Sequence, residues 1–288
     1  MGNRPRLTLI GNAGSWHVAE LLKRCQGRAE GRVVCWADLA AVVSGSDERF
    51  LPTAVAVADA VLVRGMPTGS LEQVIGRMDV LGRLEARGQR VLNRPAALEV
   101  AIDKYLTTAR LAAAGLPVIP SAVVQSAAQL QAVREEFGGR LVVKPLFGSN
   151  GRGLTRVDSA DDLPALLANQ GAVLVQQQIA NEGWDARILV VGEQALAMKR
   201  VAAPGEWRTN VALGGTPMPF TPPPEWIDLA RRAAAAIGAE LAGIDLLPGA
   251  DGAVWLLEAN AVPGWRALQR VIQPDIASLV LDQAINPR

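Results

Sequence analysis

Histidine is nearly absent from this 288-residue chain: it occurs once, as His17, beside two cysteines, Cys25 and Cys35, and a single tyrosine. So few imidazoles and thiols exclude a histidine-cluster metal site, a cysteine zinc knuckle and any Ser-His-Asp centre not built on His17. Lysine is scarce too. It stands only at Lys23, Lys104, Lys144 and Lys199, so arginine supplies 25 of the 29 positive charges. A net charge of +1 leaves no basic excess of the kind that polyanion binding requires, and no nucleic-acid partner is expected. Chemistry is left to carboxylates, amides, arginines and the few lysines.

Long apolar runs are missing as well. Leu7 to Ile10 ends at Gly11-Asn12, too short for an export signal, and the run from Ala54 to Val63 contains Asp59 and falls far below spanning length. Arg6 stands where a myristoylation start needs Ser or Thr. These absences place the chain in the cytoplasm, with no membrane partner and with both thiols reduced.

What is present alternates. Arg6–Ile10, Val33–Trp36, Ala60–Val63 and Val91–Leu92 read as buried strands. Ser15 caps a helix holding Val18 and Leu21, and Ser70–Arg87 has helical apolar spacing from Leu71 to Leu84. This is the βαβ grammar of a parallel sheet. Beyond Pro95 the spacing predicts a helix over 103–114, strands at 122–124 and 141–144 around a helix over 126–137, a strand near 154–157, and a helix opened by Ser159 and Asp161. An antiparallel group follows at 172–176, 186–191 and 195–201. Thr216–Pro224 reads as a loop before a helix over 225–237, and strands at 241–247 and 253–257 precede one or two terminal helices.

Two segments carry chemistry. Lys144-Pro145-Leu146-Phe147-Gly148-Ser149-Asn150-Gly151-Arg152-Gly153 is a strand end running into a glycine-rich loop. Glycines let backbone N–H groups approach phosphate, and a strand-end lysine can reach it, although the same pattern also suits an ordinary hairpin turn. In the second, Asp251-Gly252 is a favoured two-residue hairpin tip, and a hairpin centred there puts Asp245 opposite Glu258, with Asn260 on the same face. Three oxygen donors then converge as magnesium prefers. Polar residues facing water are the alternative, but Asp245 and Glu258 interrupt strongly apolar runs.

Taken in order, Ile102-Asp103-Lys104, the Lys144 loop, Val175-Gln176-Gln177-Gln178-Ile179, Asp185-Ala186-Arg187, Gly243-Ile244-Asp245 and Glu258-Ala259-Asn260 resemble the ATP-grasp ligases, most closely the RimK-like α-L-glutamate ligase group. The resemblance implies an α/β fold, α+β in its C-terminal half. Residues 1–95 would form a parallel βαβ domain, 96–180 a central ATP-grasp subdomain, and 181–288 a C-terminal subdomain with the magnesium site.

It also implies ATP bound by Lys104, Lys144, Ser149, Asn150, Gly151, Gly153, Gln176, Gln177, Ile179, Asp185 and Lys199. Gln177 stands where the family usually has Glu. Asp245, Glu258 and Asn260 would hold two Mg2+ ions, for which Mn2+ could substitute. Arg208 and Lys144 would act catalytically, and Arg64, Arg187, Arg208 and Asn210 would meet substrate.

The implied reaction joins a carboxylate to an amine through an acyl phosphate, adding an amino acid such as L-glutamate. Ala212 and Leu213 replace the basic pair of RimK itself, which points to a small-molecule cofactor precursor rather than a protein C-terminus as acceptor. A non-catalytic nucleotide-binding module is the competing class, and a homo-oligomer is compatible with either. Gly11-Asn12-Ala13-Gly14 lacks the glycine spacing of a nicotinamide site. His17 reads as a helix-start residue, and Trp184, Trp207 and Trp265 as packing residues beside the site motifs.

Overall fold

The computed structural model describes residues 4–138, 140–148, 153–157 and 171–286. Its first layer contains β1 (Arg6–Ile10), α1 (Trp16–Cys25), β2 (Glu30–Val34), β3 (Ala40–Ser44), β4 (Asp47–Leu51), α2 (Thr53–Ala56), β5 (Ala60–Val63), α3 (Leu71–Ala86) and β6 (Arg90–Leu92). Four of these strands run parallel in the order β2-β1-β5-β6. β5 is buried at every residue and β1 at all but its first, which is why they read as unbroken apolar runs. From β1 the chain passes to β2 on one side and later reaches β5 on the other. The carboxyl ends of β1 and β5 therefore flank the switch point of the sheet.

Ser70 and Gln73 close a reciprocal capping box on α3, whereas the Ser15 side chain makes no capping bond to α1. The antiparallel β3–β4 hairpin is an addition to the sequence reading. Its strands are exposed on both faces except near Phe50, so no burial rhythm marked them. Cys25 and Cys35 are both unpaired thiols.

The second layer holds α4 (Pro95–Ile102), α5 (Lys104–Ala113), β7 (Ser121–Val124), α6 (Ala127–Phe137), β8 (Leu141–Pro145), β9 (Thr155–Val157) and β10 (Val173–Gln177). The helix expected over 103–114 is α5, opened by Asp103, whose carboxylate accepts the Tyr105 and Leu106 N–H groups, and α4 before it is an addition to the sequence reading. The sheet order is β7-β10-β8-β9, all antiparallel. β10 therefore joins this sheet, not the C-terminal one to which the spacing assigned it. Leu141, Val143, Val173 and Val175 pack with Leu130 of α6 into a small core. Strand alternation turns Val142, Lys144, Leu174 and Gln176 to the opposite face. The helix opened by Ser159 and Asp161 lies outside the described residues.

The third layer is an antiparallel sheet of β11 (Trp184–Val191), β12 (Gln194–Val201), β13 (Thr216–Pro219), β14 (Leu241–Pro248) and β15 (Val254–Asn260), in the order β13-β12-β11-β14-β15. β13 corrects the loop reading of 216–224: it is an edge strand, where Pro217 and Pro219 are tolerated. The helix Pro224–Ala236 packs Ala230, Ala233 and Ala234 into one core, and the helix Ile276–Ile285 packs into another. Each core also draws residues from the parallel sheet. Among the described residues no helix is long and apolar enough to cross a membrane.

Candidate functional site

Antiparallel register assembles the charged face of the third sheet. Arg200 of β12 pairs with Asp185 of β11, Arg187 of β11 with Asp245 of β14, and Asp245 with Glu258 of β15. Directly paired residues share a face, so these side chains converge. The Asp245–Glu258 pairing arises differently from the hairpin drawn on the sequence. The tip is the longer loop 249–253, closed by Gly249 N–H to Ala253 carbonyl at 2.7 Å. A bulge after Asp245, with Leu257 as the extra residue, restores the register.

Asp245 is 1% exposed and carries a dense ion-pair network. Arg187 donates Nε and Nη2 to its two oxygens at 2.5 and 2.6 Å, and Arg200 Nη2 lies 2.8 Å from Oδ2. Burial alone would raise its carboxyl, but the two guanidinium groups outweigh that and hold it at about 2. Asp185, fully buried, accepts Arg200 Nε and Nη2 and the Thr209 hydroxyl at 2.5–2.7 Å. Arg200 is pulled down by burial, yet the two carboxylates hold it above its ordinary range. Glu258 forms no side-chain hydrogen bond among the described residues.

The facing wall comes from the second sheet. Lys144 is 7% exposed, and burial, only partly offset by the charge of Glu258, lowers its ammonium to about 8. Lys104, the first residue of α5, donates Nζ to the Gly148 carbonyl at 2.8 Å and to the Leu146 carbonyl at 3.3 Å, tying the helix to the start of the glycine loop. Gly153 closes the described part of that loop at φ 72°, and a Cβ there would lie 2.9 Å from Pro145 Cγ.

Between the walls lies a cavity whose apolar sides include Ile119, Val142, Leu174, Ile179 and Leu256. Within it Gln176 donates Nε2 to the Ser121 hydroxyl at 2.9 Å, and its buried Oε1 has no partner among the described residues. Gln177 commits its amide donor to the Phe137 carbonyl, so the unmet acceptor belongs to Gln176. A flat heterocycle bearing an amino group matches an apolar slot with one orphan acceptor.

Lys104, Lys144, Gln176, Gln177, Ile179, Asp185, Arg208, Asn210, Asp245 and Glu258 all line this cavity. Arg187 and Asn260 do not themselves line it: Arg187 reaches it through Asp245, and Asn260, two residues past Glu258 on β15, has Oδ1 accepting the Val262 N–H at 2.8 Å. Ser149, Asn150 and Gly151 lie outside the described residues.

Two expected residues are elsewhere. Lys199 sits with Nζ 3.9 Å from the centroid of the Trp184 ring, because alternation along β12 turns Arg200, not Lys199, into the cavity. Arg64 donates to the Pro263 carbonyl at 2.8 Å, away from the cavity lining.

Arg200, Thr209 and Arg156 are members of the lining that the spacing did not single out. Arg156 lies 4.4 Å from the Trp207 ring centroid. The Lys199-Arg200 dipeptide was the available signal for Arg200, but strand parity decides between the two only once register is known. Trp184 packs with Phe220 and Trp226, Trp265 is fully buried, and Trp207 alone of the three lines the cavity.

The model of the RimK-like ATP-grasp domain family matches residues 101–284. A tetrahydromethanopterin:alpha-L-glutamate ligase of Methanosarcina acetivorans is 36% identical over 67% of this chain, a match spanning 64% of that protein's length, just under two thirds. A probable alpha-L-glutamate ligase 2 of Shewanella frigidimarina is 31% identical over 70% of each chain. Among solved structures, the ATP-grasp ligase PsnB complexed with minimal precursor, Mg and ADP superposes with a TM-score of 0.75 at 23% identity, covering 99% of this chain and 98% of that one. A RimK domain protein ATP-grasp from Sphaerobacter thermophilus gives 0.74 at 23% identity, covering 98% and 100%. At such identities the structural likeness establishes the fold.

Proposed function

This chain belongs to the RimK-like ATP-grasp family, and from that premise we propose that it is an ATP-dependent carbon–nitrogen ligase joining a carboxylate to an amine. One observation carries the reading. A single cavity holds two desolvated lysines and an orphan amide acceptor on one wall, and the paired carboxylates Asp245 and Glu258 on the other. The Gln176 carbonyl suits the amino group of adenine. Lys144 and Lys104 are ammonium groups deprived of water, which a triphosphate would recompense with anionic oxygens.

The donor set also fits a divalent cation. Among the described residues no three His, Cys, Asp or Glu cluster. Asp245, Glu258 and the amide of Asn260 nevertheless supply oxygen from one sheet face, the donors that Mg2+ accepts alongside phosphate and water. Bound there, Mg2+ would neutralise charge on the triphosphate. Triphosphate also offers Arg187 and Arg200 an anion besides Asp245.

The proposed chemistry needs no histidine. A substrate carboxylate oxygen bonds to the γ-phosphorus as the β,γ-bridging P–O bond breaks, giving an acyl phosphate and ADP. An amine nitrogen then bonds to the acyl carbon as the C–O bond breaks, releasing inorganic phosphate and a proton. Phosphoryl transfer of this kind depends on positioning and charge neutralisation, which Lys104, Lys144 and the arginines of the lining supply. Arg208 is held by a bidentate pair with Glu206, whose carboxyl that hydrogen bond lowers to about 2.

For the substrates, we take L-glutamate as amine and a small cofactor precursor as acceptor. The relatives' names support this, as does the short 3-10 turn Val211–Leu213, which carries no cation beside Asn210. ADP release across amino acids and acceptors, with mass spectrometry of the product, tests the proposal. Turnover only with polypeptide C-termini would overturn the acceptor, and no substrate-dependent ADP would leave the non-catalytic module instead.

A further inference from the structure

The carboxyl edge of the parallel sheet is where the sequence reading placed a substrate near Arg64. It is instead occupied by residues 261–265 of the chain itself, the segment directly after Glu258 and Asn260. Side chains following three parallel strands grip that segment at successive backbone groups. Asn93, just past β6, donates Nδ2 to the Ala261 and Leu241 carbonyls at 2.6 Å, and its Oδ1 accepts the N–H groups of Glu240 and Leu241. Arg64, just past β5, donates Nη2 to the Pro263 carbonyl and stands 4.2 Å over the Trp265 ring. His17, in the first turn of α1, accepts the Trp265 N–H at Nε2, 3.0 Å away. On the other side, a Cβ on Gly243, the cross-strand partner of Asn260, would lie 2.9 Å from Pro263 Cβ.

Arg64 is a costly residue for mere packing. It is 6% exposed, forms no ion pair among the described residues, and leaves Nε and Nη1 buried without acceptors. Burial lowers its guanidinium to about 9, so it remains charged at neutral pH. An apolar side chain would fill the space without that desolvation penalty. What the guanidinium adds is a directed bond to a carbonyl three residues beyond Asn260, with an aromatic face to fix its plane. His17 is neutral, held at about 4 by burial and by Arg64 and Arg266, which leaves Nε2 free to accept.

We infer that His17, Arg64 and Asn93 are positioning residues through which the parallel sheet sets the placement of Asn260 and Glu258 toward a divalent cation. This rests on the reading of Asp245, Glu258 and Asn260 as cation donors. Groups that orient metal ligands without touching the metal are worth about 10–100-fold in affinity, whereas residues that only stabilise the fold leave metal and nucleotide affinities unchanged in the folded fraction.

The test uses the full chain, with Mn2+ titrated in the presence of ADP and free Mn2+ read by electron paramagnetic resonance. Arg64→Met and His17→Ala should each weaken Mn2+ binding about ten-fold. Metal-free ADP affinity should hold, because Lys104, Lys144 and Gln176 stand on the other wall. His17→Gln, which keeps an acceptor near Nε2, should bind Mn2+ like the parent. In an Asn260→Ala background the Arg64→Met penalty should shrink, since the share that acts through Asn260 is already lost.

Unchanged Mn2+ affinity in Arg64→Met and His17→Ala would overturn the inference. So would a His17→Gln variant as weak as His17→Ala, or an undiminished penalty in the Asn260→Ala background. If Arg64→Met fails to fold, Arg64→Lys, which keeps one donor, enters the same titration with a smaller loss expected, and parental affinity there together with parental affinity in His17→Ala overturns the inference equally. A parent protein that does not bind Mn2+ with ADP would instead remove the cation-donor reading itself.

Discussion

Replacing Lys144 by methionine should make the protein more stable at neutral pH while abolishing nucleotide-dependent turnover. Lys144 is buried, and its ammonium titrates at about 8 rather than the ordinary 10.5. At 1.36 kcal/mol per pKa unit, the charged form costs the fold about 3 kcal/mol at pH 7. The sign follows from proton counting. Between about pH 8 and 10.5 the unfolded chain binds a proton at this lysine that the folded chain does not, so stability of the parent rises with pH across that window. Lys144→Met has no such group.

In paired denaturant titrations the variant should lead by up to about 3 kcal/mol at pH 7. The lead should close as pH rises through 8 to 10.5, and taking the difference between the two proteins cancels other titrations. A variant less stable than the parent at pH 7, or a gap that does not change with pH, would refute the desolvation argument. A gain in stability with lost activity is what a charge kept for ligand binding looks like.

Four further outcomes are expected. Lys144→Arg should cut ATP-dependent ADP release at least ten-fold, because a planar guanidinium does not replace a compact ammonium in that wall. Lys23→Arg, on the exposed side of α1 where Lys23 pairs with Glu20, should be silent in the same assay. ADP binding at pH 8.5 should take up protons as phosphate draws Lys144 back to its charged form; calorimetry in buffers of differing ionisation enthalpy reads this, and uptake should fade at pH 6.5. Asn93→Ala should cost about 3 kcal/mol or more in unfolding free energy, since it strands buried backbone groups at Glu240, Leu241 and Ala261. A loss below about 1 kcal/mol would mean that those groups find other partners.

Elements with a strong local signal were legible in the chain itself. β1, β5 and β8 were marked by their apolar runs, and α3 and α6 by apolar spacing opened by Ser70 and Ser126, whose hydroxyls accept the Gln73 and Gln129 N–H groups. The lysine, glycine, glutamine and carboxylate motifs were legible because they occur in the order of the RimK-like pattern, and lysine is rare enough in this chain to mark its positions. The β3–β4 hairpin was not, since exposure on both faces erases period two. Nor was β13, whose two prolines look like a loop until an edge position makes their missing donors harmless. The helix start at Asp103 was legible, but α4 before it was not, because Pro95–Ile102 is apolar on most of its length and shows no helical rhythm.

Composition and spacing by themselves narrowed the chemistry: one histidine and four lysines left carboxylates, amides, arginines and the few lysines, and spacing singled out Lys144, Asp245 and Glu258 as candidates, with Lys104 added by the family resemblance. Tertiary structure decided which neighbours those positions acquire. Pairing of β11 with β12 and β14 put Arg200 in the cavity and Lys199 against Trp184, and a bulge after Asp245 brought it opposite Glu258. The return of residues 261–265 onto the parallel sheet gave His17, Arg64 and Asn93 a shared partner. A local pattern specifies which face a side chain takes, but the identity of what it meets depends on register and on contacts distant in the chain, which only the folded arrangement sets.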